Sequence, residues 1–103
     1  MSEAVDSNSG SHGIAEMKSL MTELARALVD DSDSVRVDII PDGEITVLRL
    51  FVAPDDVRKV IGKQGRTARS LRTILSAASM KLHRRFALDI VEADDMELDE
   101  EEE

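Results

Sequence analysis

The chain has no cysteine, no tryptophan, no tyrosine and only two phenylalanines in 103 residues. Without cysteine there is no disulfide framework, no thiolate zinc ligand and no thiol nucleophile. Its two histidines, His12 and His83, lie far apart in sequence, so no imidazole-based metal site is expected. With so few aromatics, Val, Ile, Leu, Met and Ala must fill the core. The base-stacking platforms of single-strand-binding proteins are missing as well. No apolar run approaches the ~20 residues of a membrane span. The stretch MSEAVDSNSGSHG lacks the basic start and apolar centre of a secretory signal. The expectation is a soluble, cytoplasmic chain with one small domain and no cofactor.

What the sequence has in abundance is charge, and its placement matters more than its sum of −9. Residues 1–13 carry −2, residues 14–92 carry +1 and residues 93–103 carry −8. Within 57–88 there are nine basic residues and no acid. The acidic average therefore hides a strongly basic segment, and the local field decides which ligands approach.

Residues 1–13, rich in Ser, Gly, Asn and Asp, read as a disordered arm, and residues 93–103, ADDMELDEEEE, as a disordered acidic tail. The foldable region is 14–92. Ile14, Met17, Leu20, Met21, Leu24 and Leu28 recur at helical spacing, which predicts an amphipathic helix over 14–29. Alternation predicts a strand over 35–40 and a second over 45–52, joined by a Pro41-Asp42-Gly43-Glu44 turn. Leu48, Leu50 and Val52 share one face of the second strand. Ile45, Val47, Arg49 and Phe51 share the other, which reads as a sheet face partly covered elsewhere or as a partner surface. Pro54 opens a short helix with Asp55 and Asp56 at its positive end, and Gly62 stops it. A longer helix from about Arg66 turns Ala68, Leu71, Ile74, Leu75, Ala78 and Leu82 inward, and Met17, Met21 and Met80 have core-like spacing. A last strand covers about 84–91. The order α-β-β-α-α-β predicts an α+β domain: a three-stranded mixed sheet with helices packed on one face.

The chemistry concentrates in Val60-Ile61-Gly62-Lys63-Gln64-Gly65-Arg66-Thr67. Glycines at both ends of a G-x-x-G loop allow unusual φ and close backbone approach. The N–H groups that open the following helix favour an anion. Lys63 offers a point charge to phosphate, and Arg66 and Arg69 a forked donor. Such a set grips a sugar-phosphate chain without reading its bases. A tight interhelical turn explains either glycine alone, but not the pair with its basic neighbours. Arg58 and Lys59 divide between groove and plain surface. Arg72 fits a solvated helix face and a functional one equally. Arg84 and Arg85 read as edge-strand charges that discourage aggregation, and His83 as solvent-exposed. No nucleophile–base pair, metal cluster or G-x-x-x-x-G-K-[ST] spacing is present, so no enzymatic activity is expected.

The element order and the GKQG loop resemble a type II KH domain. The stretch VAPDDVRKVIGKQGRTARSLRTILSAA is similar to the small single-KH bacterial proteins of the KhpA type. The resemblance covers about residues 14–92 and is specific over 52–78. It implies that Gly62, Lys63, Gln64 and Gly65 clamp about four nucleotides of single-stranded RNA. It also implies that Ile61 and the flanking helices wall an apolar groove for bases. It further implies a homodimer, a larger multidomain KH partner (KhpB, Jag or EloR), RNA-chaperone or post-transcriptional roles, and a link to cell elongation and wall homeostasis. The alternative is a docking subunit of that larger protein with marginal RNA binding of its own. The N-terminal arm and acidic tail fall outside the family's pattern. The tail reads most simply as solubilising. The sharper reading has it fold back on the basic helix and compete with RNA, aided by its tether.

Overall fold

The computed structural model describes the backbone of residues 9–92 and the side chains of residues 13–92. Most of the expected arm and the whole acidic tail lie outside the described residues. The elements are α1 (Ser9–Leu28), β1 (Arg36–Asp42), β2 (Ile45–Phe51), α2 (Val57–Ile61), α3 (Arg66–Leu82) and β3 (Arg85–Ile90), with short 3₁₀ turns at Ser32–Ser34, Pro54–Asp56 and Lys63–Gly65. The α+β order and the mixed sheet are those the hydrophobic patterning requires.

Strand order is β1-β2-β3. β1 and β2 are antiparallel, with Val37 opposite Leu50 and Ile39 opposite Leu48. β2 and β3 are parallel, with Leu48 opposite Leu88 and Leu50 opposite Ile90. A helical crossover between neighbouring strands produces that direction. One sheet face, carrying Val37, Leu48, Leu50, Leu88 and Ile90, forms a single core with Met17, Met21 and Ala25 of α1, Val60 of α2 and Ala68, Leu71 and Leu75 of α3. The other face carries charge across the strands. Arg49 pairs with Asp89 at 3.1 Å and Arg36 with Asp38 at 3.2 Å. The Arg36 guanidinium lies 3.9 Å from the Phe51 ring centroid.

Four details differ from the sequence expectation. Helix α1 begins at Ser9, not Ile14. Glycine disfavours helix by about 1 kcal/mol, yet the helix runs through Gly13; a Cβ there would stand 3.5 Å from Leu82 of α3, an ordinary contact distance, so α1 meets α3 at this position. Pro41 is not a turn residue but lies within β1, opposite Thr46. β1 is an edge strand, so a residue with no N–H to donate is tolerated there. The hairpin turns on Gly43 and Glu44 alone, with Gly43 at φ 64°. Finally, the apolar stripes are narrower than their spacing suggests. Leu20, Leu28, Ile74 and Met80 are exposed, Met80 at 78%, while Ala25 is fully buried. The sheet is only three strands wide, so residues at the margins of a helical stripe reach past it.

Candidate nucleic-acid interface

The G-x-x-G loop is built by three residues of positive φ in a run of four. Gly62 sits at φ 80° and ψ 171°, Gln64 at φ 58° and Gly65 at φ 75°. The two glycines are required for different reasons. A Cβ at Gly62 would fall into Thr67, within 2.7 Å of its Cβ and 2.8 Å of its backbone N. At Gly65 the space is open and only the left-handed backbone demands glycine. The Gly62 N–H donates to the Arg58 carbonyl at 2.8 Å, ending α2, and the Gly65 N–H donates to the Gly62 carbonyl at 3.1 Å, closing the turn. Lys63 and Gln64 are thereby held at the apex, both exposed.

The first turn of α3 adds to this. It contains no acid, and no side chain caps it. Helices ordinarily place Asp or Glu at this end, where a negative charge is stabilising by about 0.3–1 kcal/mol. Here Arg66 and Arg69 stand there instead, and Arg66 Nη2 donates to Gln64 Oε1 at 3.2 Å. Among the described residues Lys63 and Arg69 enter no ion pair. Positive dipole and cations converge at one corner, an arrangement that favours an anion.

Six of the seven site residues read from sequence therefore come together: Gly62, Lys63, Gln64, Gly65, Arg66 and Arg69. Ile61 is partly buried and packs on the core, anchoring the loop from below.

A largely apolar groove lies in the seam between α3 and β3, its first lining residue, Arg72, one helical turn beyond Arg69. A cavity of about 270 Å³ is lined there by Arg72, Leu75, Ser76, Phe86, Ala87 and Leu88. Ile61 is not part of its wall. Arg72, left between surface and function by the sequence, reaches across to the free edge of β3 and donates to the Leu88 carbonyl at 3.2 Å. Phe86 packs on the core and also lines the cavity, so the groove holds one aromatic ring. Periodicity shows which residues share a helix face. It does not show that an edge strand lies beside that face, so Ser76, Ala87 and Leu88 carried no sequence signal as groove residues.

Behind the loop, the start of α2 is fixed by a nearly buried carboxylate. Asp56 Oδ2 accepts from the Asp31 N–H at 3.0 Å, and Asp56 Oδ1 lies 3.3 Å from Lys59 Nζ. Lys59 also reaches Asp30 at 3.4 Å. The Asp31 N–H, helped by the Asp30 N–H and Lys59, holds the Asp56 carboxyl below its ordinary value, overcoming the opposing effect of burial. The hydrogen bond to Asp56, then the charge of Asp30, raises the Lys59 ammonium in turn. Lys59 is thus tied to the scaffold, while Arg58 is exposed beside the loop. Sequence placed Asp56 at a helix dipole; its tie to a loop 25 residues earlier is tertiary.

No helix among the described residues is long and apolar enough to cross a membrane. No solved structure matches the chain. The family model described as KhpA/KhpB, KH domain matches residues 18–90. The chain is 51% identical over 76 residues to the RNA-binding protein KhpA of Halalkalibacterium halodurans, covering 74% of this chain and all of that one. It is 44% identical over 79 residues to the RNA-binding protein KhpA of Aquifex aeolicus, covering 77% of this chain and all of that one. With the RNA-binding protein KhpA of Treponema pallidum it shares 48% over 73 residues, 71% of this chain and 91% of that one. Sequence similarity, element order and the glycine-bounded loop agree, and the chain belongs to the KhpA/KhpB KH-domain family.

Proposed function

We propose that this chain is a non-catalytic protein that binds single-stranded RNA by clamping its backbone at Gly62–Gly65. The carrying observation is the apex geometry: Lys63 and Gln64 presented by three positive-φ residues, directly before a helix whose first turn is basic and free of acid. Lys63, Arg66 and Arg69 take the phosphates. Phe86 and Ala87, partly exposed in the α3–β3 groove, give bases an apolar wall backed by the buried Leu75 and Leu88. Similarity to proteins named for RNA binding supports the reading. With phosphate contacts dominant, binding is tolerant of sequence. The family resemblance extends the proposal to a homodimer, a larger Jag-type KH partner, and RNA-chaperone or post-transcriptional work linked to cell elongation and wall homeostasis.

The test is fluorescence anisotropy with a labelled single-stranded RNA at several salt concentrations, for the parent chain and Lys63→Asp/Gln64→Asp. Parent binding is expected to weaken with salt, with a slope of about −0.7 per phosphate contacted. The variant is expected to lose binding while keeping its circular dichroism spectrum. A folded variant that binds as well as the parent overturns the loop assignment. A folded parent that does not bind overturns RNA binding by this chain alone and leaves it as a docking subunit.

A further inference from the structure

The α3–β3 seam does not end at the groove. Arg69, Arg72, Ser76, Ser79 and His83 recur every three or four residues, so they share one flank of α3, with Met80 beside Ser79. That flank follows the free edge of β3 along its length: Arg72 donates to the Leu88 carbonyl, and further down Ser79 Oγ accepts from the Phe86 N–H at 3.2 Å. Just beyond that second bond a larger open cavity of about 790 Å³ begins, lined by Glu44, Ser79, Met80, His83, Arg84 and Arg85. The Ser79–Phe86 hydrogen bond stands between the two cavities: Phe86 lines the near one and Ser79 the far one. From Arg69 to His83 the helix rises about 21 Å at 1.5 Å per residue.

The far cavity is more cationic than the near one, with Arg84 and Arg85 in its lining against Arg72 alone. Arg84 and Arg85 enter no ion pair among the described residues, and His83 stands beside them in a left-handed conformation, φ 55°, that ends α3. Met80 is 78% exposed beside these charges, an unfavourable place for a thioether in water and a soft contact for a base. Glu44 also lines this cavity and can accept from a base amino group. Complementing the helix C-terminus would need only one cation, and protecting an edge strand would not need an exposed methionine.

We infer that His83, Arg84 and Arg85 form a second phosphate-binding site for the same single-stranded RNA, so that the strand runs the length of the α3–β3 seam and is gripped at both ends. The inference rests on the RNA reading above. It predicts a footprint about twice the four nucleotides that a G-x-x-G loop clamps.

The experiment compares single-stranded RNAs of about four and about eight nucleotides, using the full chain, Arg84→Ala/Arg85→Ala, Lys63→Asp/Gln64→Asp, and a charge control, Lys18→Ala/Arg26→Ala, on α1. The arginine variant is expected to weaken the longer RNA about tenfold and reduce its salt slope by about 1.4, two contacts at 0.7 each. It should leave the shorter RNA and the thermal unfolding midpoint almost unchanged, and the control should bind both like the parent. In backbone NMR, the longer RNA alone should shift the His83–Arg85 amides. Equal effects on both lengths, no effect at all, or an equal effect of the control overturn the second site, while loss in Lys63→Asp/Gln64→Asp still upholds the loop. Failure of the parent to bind either RNA overturns the underlying reading, and the second site with it.

Discussion

The Arg72 guanidinium donates a 3.2 Å hydrogen bond to the Leu88 carbonyl, sixteen residues later in the chain. One bond thereby ties the long helix to the exposed edge of the sheet and forms a wall of the groove. A carbonyl at a sheet edge would otherwise be open to pairing with another chain. Arg72→Ala is expected to lower the unfolding free energy by about 1 kcal/mol in urea denaturation and to weaken RNA binding in parallel. Unchanged stability would mean that water replaces the guanidinium at no cost.

The two loop glycines should respond differently. Gly65→Ala places a side chain in a left-handed conformation with open space around it, at a cost of about 1–2 kcal/mol. Gly62→Ala adds a collision with Thr67 to a similar penalty and should cost clearly more. Chemical denaturation of the two variants checks the order. Equal costs would show that the Thr67 helix turn moves aside freely.

The first helix offers a test of which side chains the core uses. Met21 is fully buried, and Met21→Ala should destabilise by about 2–5 kcal/mol. Leu20, its neighbour in sequence, is 39% exposed, and Leu20→Ala should cost less than about 1 kcal/mol. Similar losses from both would place α1 in a different rotation on the sheet.

Asp56 makes stability depend on acid pH. Its folded-state pKa lies below the ordinary value of 3.8, so the native state favours the carboxylate. Its contribution is complete above that ordinary value and is lost as pH falls through the lowered folded value. Asp56→Asn should therefore unfold at lower temperature than the parent at neutral pH, with the difference shrinking at the most acidic pH. Thermal melts across that range decide it. A constant difference would assign the loss to packing instead of charge.

Much of this protein was legible in its sequence. Helical and alternating periodicities gave six elements in order, because burial of an amphipathic face imposes its own period. Nine cations without an acid over 57–88, broken by Gly62-Lys63-Gln64-Gly65, placed the candidate site, because loop chemistry and charge are local properties. The tertiary structure decided what depends on neighbours distant in sequence. Leu20, Ile74 and Met80 have core spacing but extend past a three-stranded sheet. Pro41 lies in a strand because that strand is an edge. Asp56 is a buried latch because a loop from α1 donates to it. The groove exists because α3 lies along the free edge of β3, to which Arg72 and Ser79 tie it. A local pattern fixes which face a residue occupies, but only packing fixes what that face meets.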